Sequence, residues 1–347
     1  MIQSLEITNF RGFKNVSLSN LPRINVLIGE SGSGKTSFLE ALWIQAGISP
    51  EIYFRMRAFR GMAEQQAMFA DKLVYEGFFR DIFFDPAHEA QIHIMDSELG
   101  LRYLSIGYGS SSQIPINLEK PQSSSASIRP LVFRWRVGDV EYSCPLKVVN
   151  NQIVVDNPPE AFPAVFFAST QPTSARETAE RLSLLSVEGE KARVVERIKK
   201  IYPAVVDLSS ESIAGQQMVW VSVKGLKRAI PLSTVSSGIN RLSVFLLWMT
   251  LNPGGVILID EIENGFYFKD YRDVFRTLVE FCDTYKVQLF AATHSWEFLK
   301  AVAGVMKDRE SDLSMLRPKF RNGECTIQQI EGISSIESIN QDIEIRL

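Results

Sequence analysis

Ile24-Asn25-Val26-Leu27-Ile28-Gly29-Glu30-Ser31-Gly32-Ser33-Gly34-Lys35-Thr36 is the stretch that decides the fold. Its apolar, β-branched opening is the composition of a short buried strand. That strand runs into the spacing G-x-x-x-x-G-K-T, a phosphate-binding loop when a strand precedes it and a helix follows. A helix does follow by pattern, because Phe38, Leu39, Leu42, Trp43 and Ala46 recur at helical spacing. Gly29, Gly32 and Gly34 permit backbone conformations closed to residues with a Cβ, so successive amides can turn inward. Together with the helix N-terminus, the amides of residues Gly29, Glu30, Ser31, Gly32, Ser33, Gly34, Lys35, Thr36 and Ser37 form a nest for polyphosphate oxygens. In that nest Lys35 reaches the β- and γ-phosphates and the Thr36 hydroxyl holds Mg²⁺. A triphosphate and Mg²⁺ are therefore the expected ligands.

The bulk composition narrows the class without naming it. A chain of 347 residues suffices for one large domain or two smaller ones, with the apolar and charged fractions of an ordinary globular protein. A net charge of -3 carries no global nucleic-acid signal, though it leaves room for a local basic groove. Three cysteines (Cys144, Cys282, Cys325) at unrelated spacings, with only three histidines, argue against a disulfide framework or a zinc site. No signal peptide and no apolar run of membrane-spanning length is present, so a cytoplasmic protein without a membrane partner is expected.

Upstream of the loop, Ser4–Phe10 alternates as a strand, and Arg11-Gly12-Phe13-Lys14-Asn15 reads as a turn. Residues 90–109 and 130–156 alternate like antiparallel strands, separated by a Ser-, Gln- and Pro-rich stretch from Ser110 to Pro130 that reads as a mobile loop. Ser174-Ala175-Arg176-Glu177 fits a capping box and opens a helical region that breaks at Gly189 and runs to Lys200. Arg193, Arg197, Lys199 and Lys200 lie mostly off its apolar stripe and read as a solvated face. Two strands, 218–223 and 228–232, then lead into Ser236-Ser237-Gly238 and a helix carrying Leu242, Phe245, Leu246 and Met249 on one face.

Val256-Ile257-Leu258-Ile259 is a wholly apolar strand ending at Asp260-Glu261. After a further helix, Val287–Ala292 ends at Thr293-His294-Ser295. Strands alternating with helices predict a parallel sheet, whose ligands bind at the carboxyl ends of its strands. At such a position Asp260 can hold Mg²⁺ and Glu261 can polarise the attacking water. His294, one strand later, can reach the γ-phosphate or that water. Glu263 is a third acid, either support for the metal or an exposed residue. Ser236-Ser237-Gly238 reads by itself as a helix N-cap, and in this company as a second anion site.

Together these residues resemble an ABC-type ATPase head of the RecF/SMC/OLD group. The opening Ile7-Thr8-Asn9-Phe10-Arg11-Gly12-Phe13 is similar to that group's first strand and turn. Gly29 to Thr36 resembles its Walker A, and Ile257 to Glu261 its Walker B. Ala292-Thr293-His294-Ser295 resembles its switch-histidine motif, and Val235-Ser236-Ser237-Gly238 sits where it carries its signature. Asp260 to Gly265 and Glu344-Ile345-Arg346 are similar to stand-alone ATPases of bacterial antiphage defence of the AriA/PtuA type. Departures include Ser237 for the first signature glycine and Phe266-Tyr267-Phe268 where relatives often carry Leu-His-Pro. Gln171 is the candidate for a Q-loop glutamine.

The resemblance implies one α/β P-loop head over 1–347, with a mixed or parallel core sheet flanked by helices, an antiparallel β lobe and a helical insertion. Residues 1–60 and 210–300 would form the nucleotide-binding core, 61–209 an inserted region, and 301–347 a C-terminal extension. It also implies a head-to-tail homodimer, with ATP held between the Walker A of one subunit and Ser236-Ser237-Gly238 of the other. Glu261, His294 and Lys35 would be catalytic. The chain after His294 is too short for an appended nuclease domain, so a separate effector protein is the expected partner. The alternative is a RecF-like repair ATPase that clamps DNA, with Lys199-Lys200 and Arg317, Lys319 and Arg321 as candidate cations.

Overall fold

The computed structural model describes residues 1–47, 50–62, 72–109, 129–149, 152–154, 162–170 and 174–346. Gln171 and most of the Ser110–Pro130 stretch lie outside the described residues.

The chain opens with a hairpin, β1 (Ile2–Phe10) and β2 (Phe13–Leu18), followed by β3 (Ile24–Ile28) and α1 (Lys35–Ala46). The expected turn at 11–15 is shorter, and a strand the sequence reading did not anticipate follows it. Phe13, Val16 and Leu18 pair with Phe10, Ile7 and Leu5 and bury one face, while Lys14, Asn15 and Ser17 stay outside. Next come α2 (Glu51–Phe59), α3 (Lys72–Phe79), β4 (Ala90–Asp96), β5 (Gly100–Tyr108), β6 (Leu131–Val137) and β7 (Val140–Pro145). The order β2-β1-β4-β5-β6-β7 makes one antiparallel sheet. A small hairpin, β8 (Lys147–Val149) and β9 (Gln152–Val154), precedes β10 (Ala164–Phe167).

The two helices α4 (Ala175–Glu188) and α5 (Lys191–Ile201) follow, joined at Gly189 in the left-handed region. The Ser174 hydroxyl caps α4 by accepting from the Glu177 amide, as its sequence predicts. On α5, Arg197 pairs with Glu280 and Arg193 with Glu190 and the Tyr285 hydroxyl, which agrees with a solvated charged face. Then come β11 (Val205–Ile213), β12 (Gln216–Val223) and β13 (Ile230–Pro231). The strand expected at 228–232 is cut to two residues because Leu232 opens α6 (Leu232–Val235). The remaining elements are α7 (Ser237–Leu251), β14 (Val256–Ile259), α8 (Tyr271–Tyr285), β15 (Gln288–Thr293), α9 (Trp296–Met306), β16 (Leu313–Arg321), β17 (Glu324–Glu331) and α10 (Gly332–Asn340).

The central sheet has the order β10-β14-β15-β3-β16-β17, parallel except for β17. Strands β10, from the 61–209 segment, and β16, from the 301–347 segment, thus lie in the same sheet as β3. Its inner strands β3, β14 and β15 are buried on both faces, and alternate residues serve two cores. Leu27, Leu258, Phe290 and Leu316 face α1 and the antiparallel sheet, whereas Val26, Ile257, Leu289 and Met315 join the core containing α7, α8 and α9. Helix α1 lies between the two sheets. That position buries Phe38 to Ala46 on every side, where the sequence suggested a single apolar stripe. Because β3, β14 and β15 are parallel neighbours, their carboxyl ends bring Gly29, Asp260 and His294 to one edge of the sheet.

Candidate functional site

The loop after β3 takes the backbone its glycines allow. Gly29, Gly32 and Gly34 have φ of 139°, 77° and 108°, and Gly34 caps α1. A Cβ on Gly29 would lie 3.2 Å from the Pro318 carbonyl oxygen, and one on Gly34 would lie 3.1 Å from Cys325 Sγ. Strand β16 and the start of β17 therefore wall the loop from behind.

Lys35 Nζ donates to the Gly29 and Glu30 carbonyls, at 2.8 and 2.7 Å. Burial lowers the pKa of this ammonium, against the opposing pull of Asp260, Glu263 and Glu261. The Thr36 hydroxyl donates to Asp260 Oδ2 at 2.9 Å, joining the loop to the end of β14. Burial pushes the Asp260 carboxyl above its ordinary range in spite of that bond. A buried carboxylate beside a hydroxyl is a hard-oxygen pair that fits Mg²⁺, an ion usually held by one or two protein oxygens with phosphates and waters completing the shell. Accordingly, no group of three or more His, Cys, Asp or Glu that could hold a metal occurs among the described residues.

Glu261 stands in the left-handed region, φ 46°, an unfavourable conformation for a residue with a Cβ. Three contacts hold it there. Arg241 of α7 donates to the carbonyls of Asp260 and Glu261 at 3.4 and 3.3 Å, and the Asn264 amide bonds the Glu261 carboxylate. Glu263 is buried, which removes the exposed reading of it. Its Oε1 accepts from the amides of His294 and Ser295 at 3.0 and 3.2 Å and lies 3.5 Å from His294 Nδ1. It therefore orients the histidine loop, while the His294 ring stays half exposed.

A cleft of about 520 Å³ is lined by Ser31, Gly32, Gly34, Lys35, Thr36 and Ser37 together with Asp260, Glu261 and His294. Glu30 and Ser33 line an adjoining cleft, and Gly29 accepts from Lys35. Ser236, Ser237 and Gly238 do not line the cleft of their own chain. Ser236 makes no side-chain cap bond, Ser237 Oγ donates to the Gly265 carbonyl at 3.1 Å, and Gly238 packs against the same carbonyl.

Several lining residues escaped the sequence reading. Glu40 and Arg60 pair through two hydrogen bonds of 2.9 and 2.7 Å, and Arg11 reaches the same carboxylate at 3.2 Å. Phe59 stacks on Trp43 at the cleft wall, beside Phe166. An acid among Phe38, Leu39, Ala41 and Leu42 was a legible signal for Glu40, since a buried carboxylate needs a cation. For Arg60, Arg241 and Asn264 no sequence signal existed beyond Asn264 lying three residues after Glu261.

Comparison with known proteins bears on the class of the fold. Residues 1–112 match the family described as "AAA ATPase domain", and residues 161–300 match "AAA domain, putative AbiEii toxin, Type IV TA system". The fold and the site define a P-loop ATPase. A protein of Helicobacter pylori named "ATP/GTP phosphatase" is 24% identical over 89% of this chain and 90% of its own length. A DNA replication and repair protein RecF from Idiomarina loihiensis is 49% identical, but over 43 residues only, 12% of each chain. Among solved structures, an SMC head bound to the C-terminal winged-helix domain of ScpA has a TM-score of 0.53 at 13% identity, covering 97% of this chain and 99% of its own. An SMC head from Pyrococcus furiosus bound to the C-terminal domain of ScpA has a TM-score of 0.52 at 12% identity, covering 99% of this chain and all of its own. These two likenesses carry the fold.

Proposed function

We propose that this chain is a Mg²⁺-dependent ATPase whose two copies close head-to-tail over shared ATP and thereby switch a separate effector. The observation that carries the reading is the division of the site. Lys35, Thr36, Asp260, Glu261 and His294 meet at one sheet edge, whereas the start of α7 at Ser236-Ser237-Gly238, where Ser237 is exposed and Gly238 buried, lies outside that cleft. A helix N-terminus with hydroxyls suits a phosphate oxygen that another copy would bring.

In this reading the loop amides and Lys35 cradle the β- and γ-phosphates, and Thr36 and Asp260 hold the metal. Bound there, Mg²⁺ would neutralise charge on the phosphate oxygens. Glu261 accepts the proton of the attacking water, and His294 donates toward the γ-phosphate. We read 1–347 as a single head, and its three cysteines, all buried, fit the reducing cytoplasm. No helix among the described residues is long and apolar enough to cross a membrane.

Placement in antiphage defence rests on the sequence resemblance and on the toxin–antitoxin family match to residues 161–300. A RecF-like DNA clamp is the second reading. Lys319 and Arg321, beside the exposed ring of Phe320, make no ion pair among the described residues, and the brief RecF match points the same way.

The test is Glu261→Gln with ATP and Mg²⁺, followed by sedimentation. A stable dimer that wild type forms only transiently is expected. A variant that binds ATP yet sediments as a monomer overturns the sandwich. Salt-dependent capture of duplex DNA by the trapped form would favour the clamp over the effector switch.

A further inference from the structure

The segment after α10 folds back to the histidine loop. Ile345 is buried in the core that contains α9, and its carbonyl accepts from Arg317 Nη1 at 3.1 Å. That anchor delivers Arg346 to one place. Its Nη1 donates to the His294 carbonyl at 2.6 Å, and its guanidinium lies 5.5 Å from the centre of the Trp296 ring. Glu344 holds the same guanidinium through both carboxylate oxygens, Nε at 2.8 Å and Nη2 at 2.5 Å. The planar fork is therefore fixed by a carboxylate and an indole, leaving one nitrogen aimed at a backbone oxygen.

The opposite side of the same peptide segment is held by Glu263 through the His294 and Ser295 amides. Ser295 also caps α9 by accepting from Phe298. The backbone that carries the His294 ring is thus gripped at its N–H by Glu263 and at its C=O by Arg346. Arg346 further lines the cleft on the outer side of the phosphate loop, with Glu30, Ser31, Gly32 and Ser33.

We propose that Arg346 is a positioning residue for the hydrolysis step, clamping the His294 carbonyl so that the imidazole is held toward the γ-phosphate. The proposal rests on the reading of His294 given above. A ring on a half-exposed loop samples several orientations unless its backbone is fixed, and small misplacement of a reacting group lowers rate far more than binding. In this proposal Arg346 acts through the His294 backbone and not on the nucleotide. Its loss should lower kcat and leave KM and nucleotide affinity near wild type.

The test compares Arg346→Ala, Arg346→Lys, His294→Ala and the double variant in steady-state ATP turnover, with a fluorescent ATP analogue reporting affinity. Arg346→Ala should lower kcat about tenfold, with KM and affinity changed less than about twofold. Arg346→Lys, which can still donate to the carbonyl, should recover much of that loss. The double variant should be no slower than His294→Ala, since Arg346 acts only through the histidine. Multiplicative losses in the double variant, or a loss confined to KM, overturn the proposal. If His294→Ala turns over like wild type, the role of His294 fails first. If His294→Ala is slow and Arg346→Ala is not, only the clamp fails.

Discussion

Replacing Glu40 with alanine tests how the cleft wall is held. Its carboxylate is 1% exposed and takes two hydrogen bonds from Arg60 and an ion pair from Arg11, whose side chain is 7% exposed. Burial already lowers the Arg11 pKa, with Glu40 the largest force opposing that shift. Breaking a buried pair from one side costs about 3–5 kcal/mol, and Arg11 then keeps only the more exposed Asp81, at 4.0 Å, as an ion-pair partner among the described residues. Unfolding entropy of roughly 2.1 cal/mol/K per residue amounts to about 0.7 kcal/mol/K for a chain of this length, so the melting temperature should fall by about 4–7 °C. Calorimetry without nucleotide reads this directly. Arg60→Ala is the control. Arg60 is 35% exposed and its removal leaves Glu40 paired with Arg11, so a drop of about half that size is expected after solvent screening. A fall below about 1 °C for Glu40→Ala, or a larger one for Arg60→Ala, would refute the assignment of the buried charge to Arg11.

Lys35→Ala should lower ATP turnover by about a hundredfold or more, measured as phosphate release, because the cleft loses its central cation. Asp260→Asn should abolish turnover yet raise the melting temperature near pH 8. The folded pKa of Asp260 lies above the unfolded one, so its favourable contribution is full below the ordinary carboxylate range and is lost as pH rises through the raised value. The gain should vanish near pH 3, where the acid is neutral in both states; a lower melting temperature at pH 8 would contradict the argument. Gly238→Ala places a Cβ 2.8 Å from the Gly265 carbonyl and 2.9 Å from the Tyr202 hydroxyl. Overpacking of that kind costs about 1–3 kcal/mol, and the same variant should fail to form the ATP-dependent dimer in the Glu261→Gln background.

Much of the site could be read along the chain because its groups follow strands directly. A phosphate loop needs a strand before it and a helix after it, and 24–46 supplied both. Asp260-Glu261 and His294 announced themselves by ending apolar runs, since residues just beyond a buried parallel strand stand at its carboxyl edge. Strand β2 was missed because Phe13, Val16 and Leu18 alternate over too few residues to outweigh Gly12 and Asn15. Only pairing with β1 gives them a partner.

The order of motifs, fixed by local backbone chemistry, was determined by sequence alone: glycines where positive φ is required, apolar runs where a strand is buried twice. What holds those motifs in place was decided by tertiary structure. Glu40 meets Arg60 and Arg11, Arg241 grips the backbone of Glu261, Glu263 turns inward to His294, and Arg346 returns to the far side of the same loop. These are contacts between residues at least twenty positions apart in the chain, made when separate elements pack together. Their partners are set by sheet order and register, which leave no periodic trace in the residues themselves.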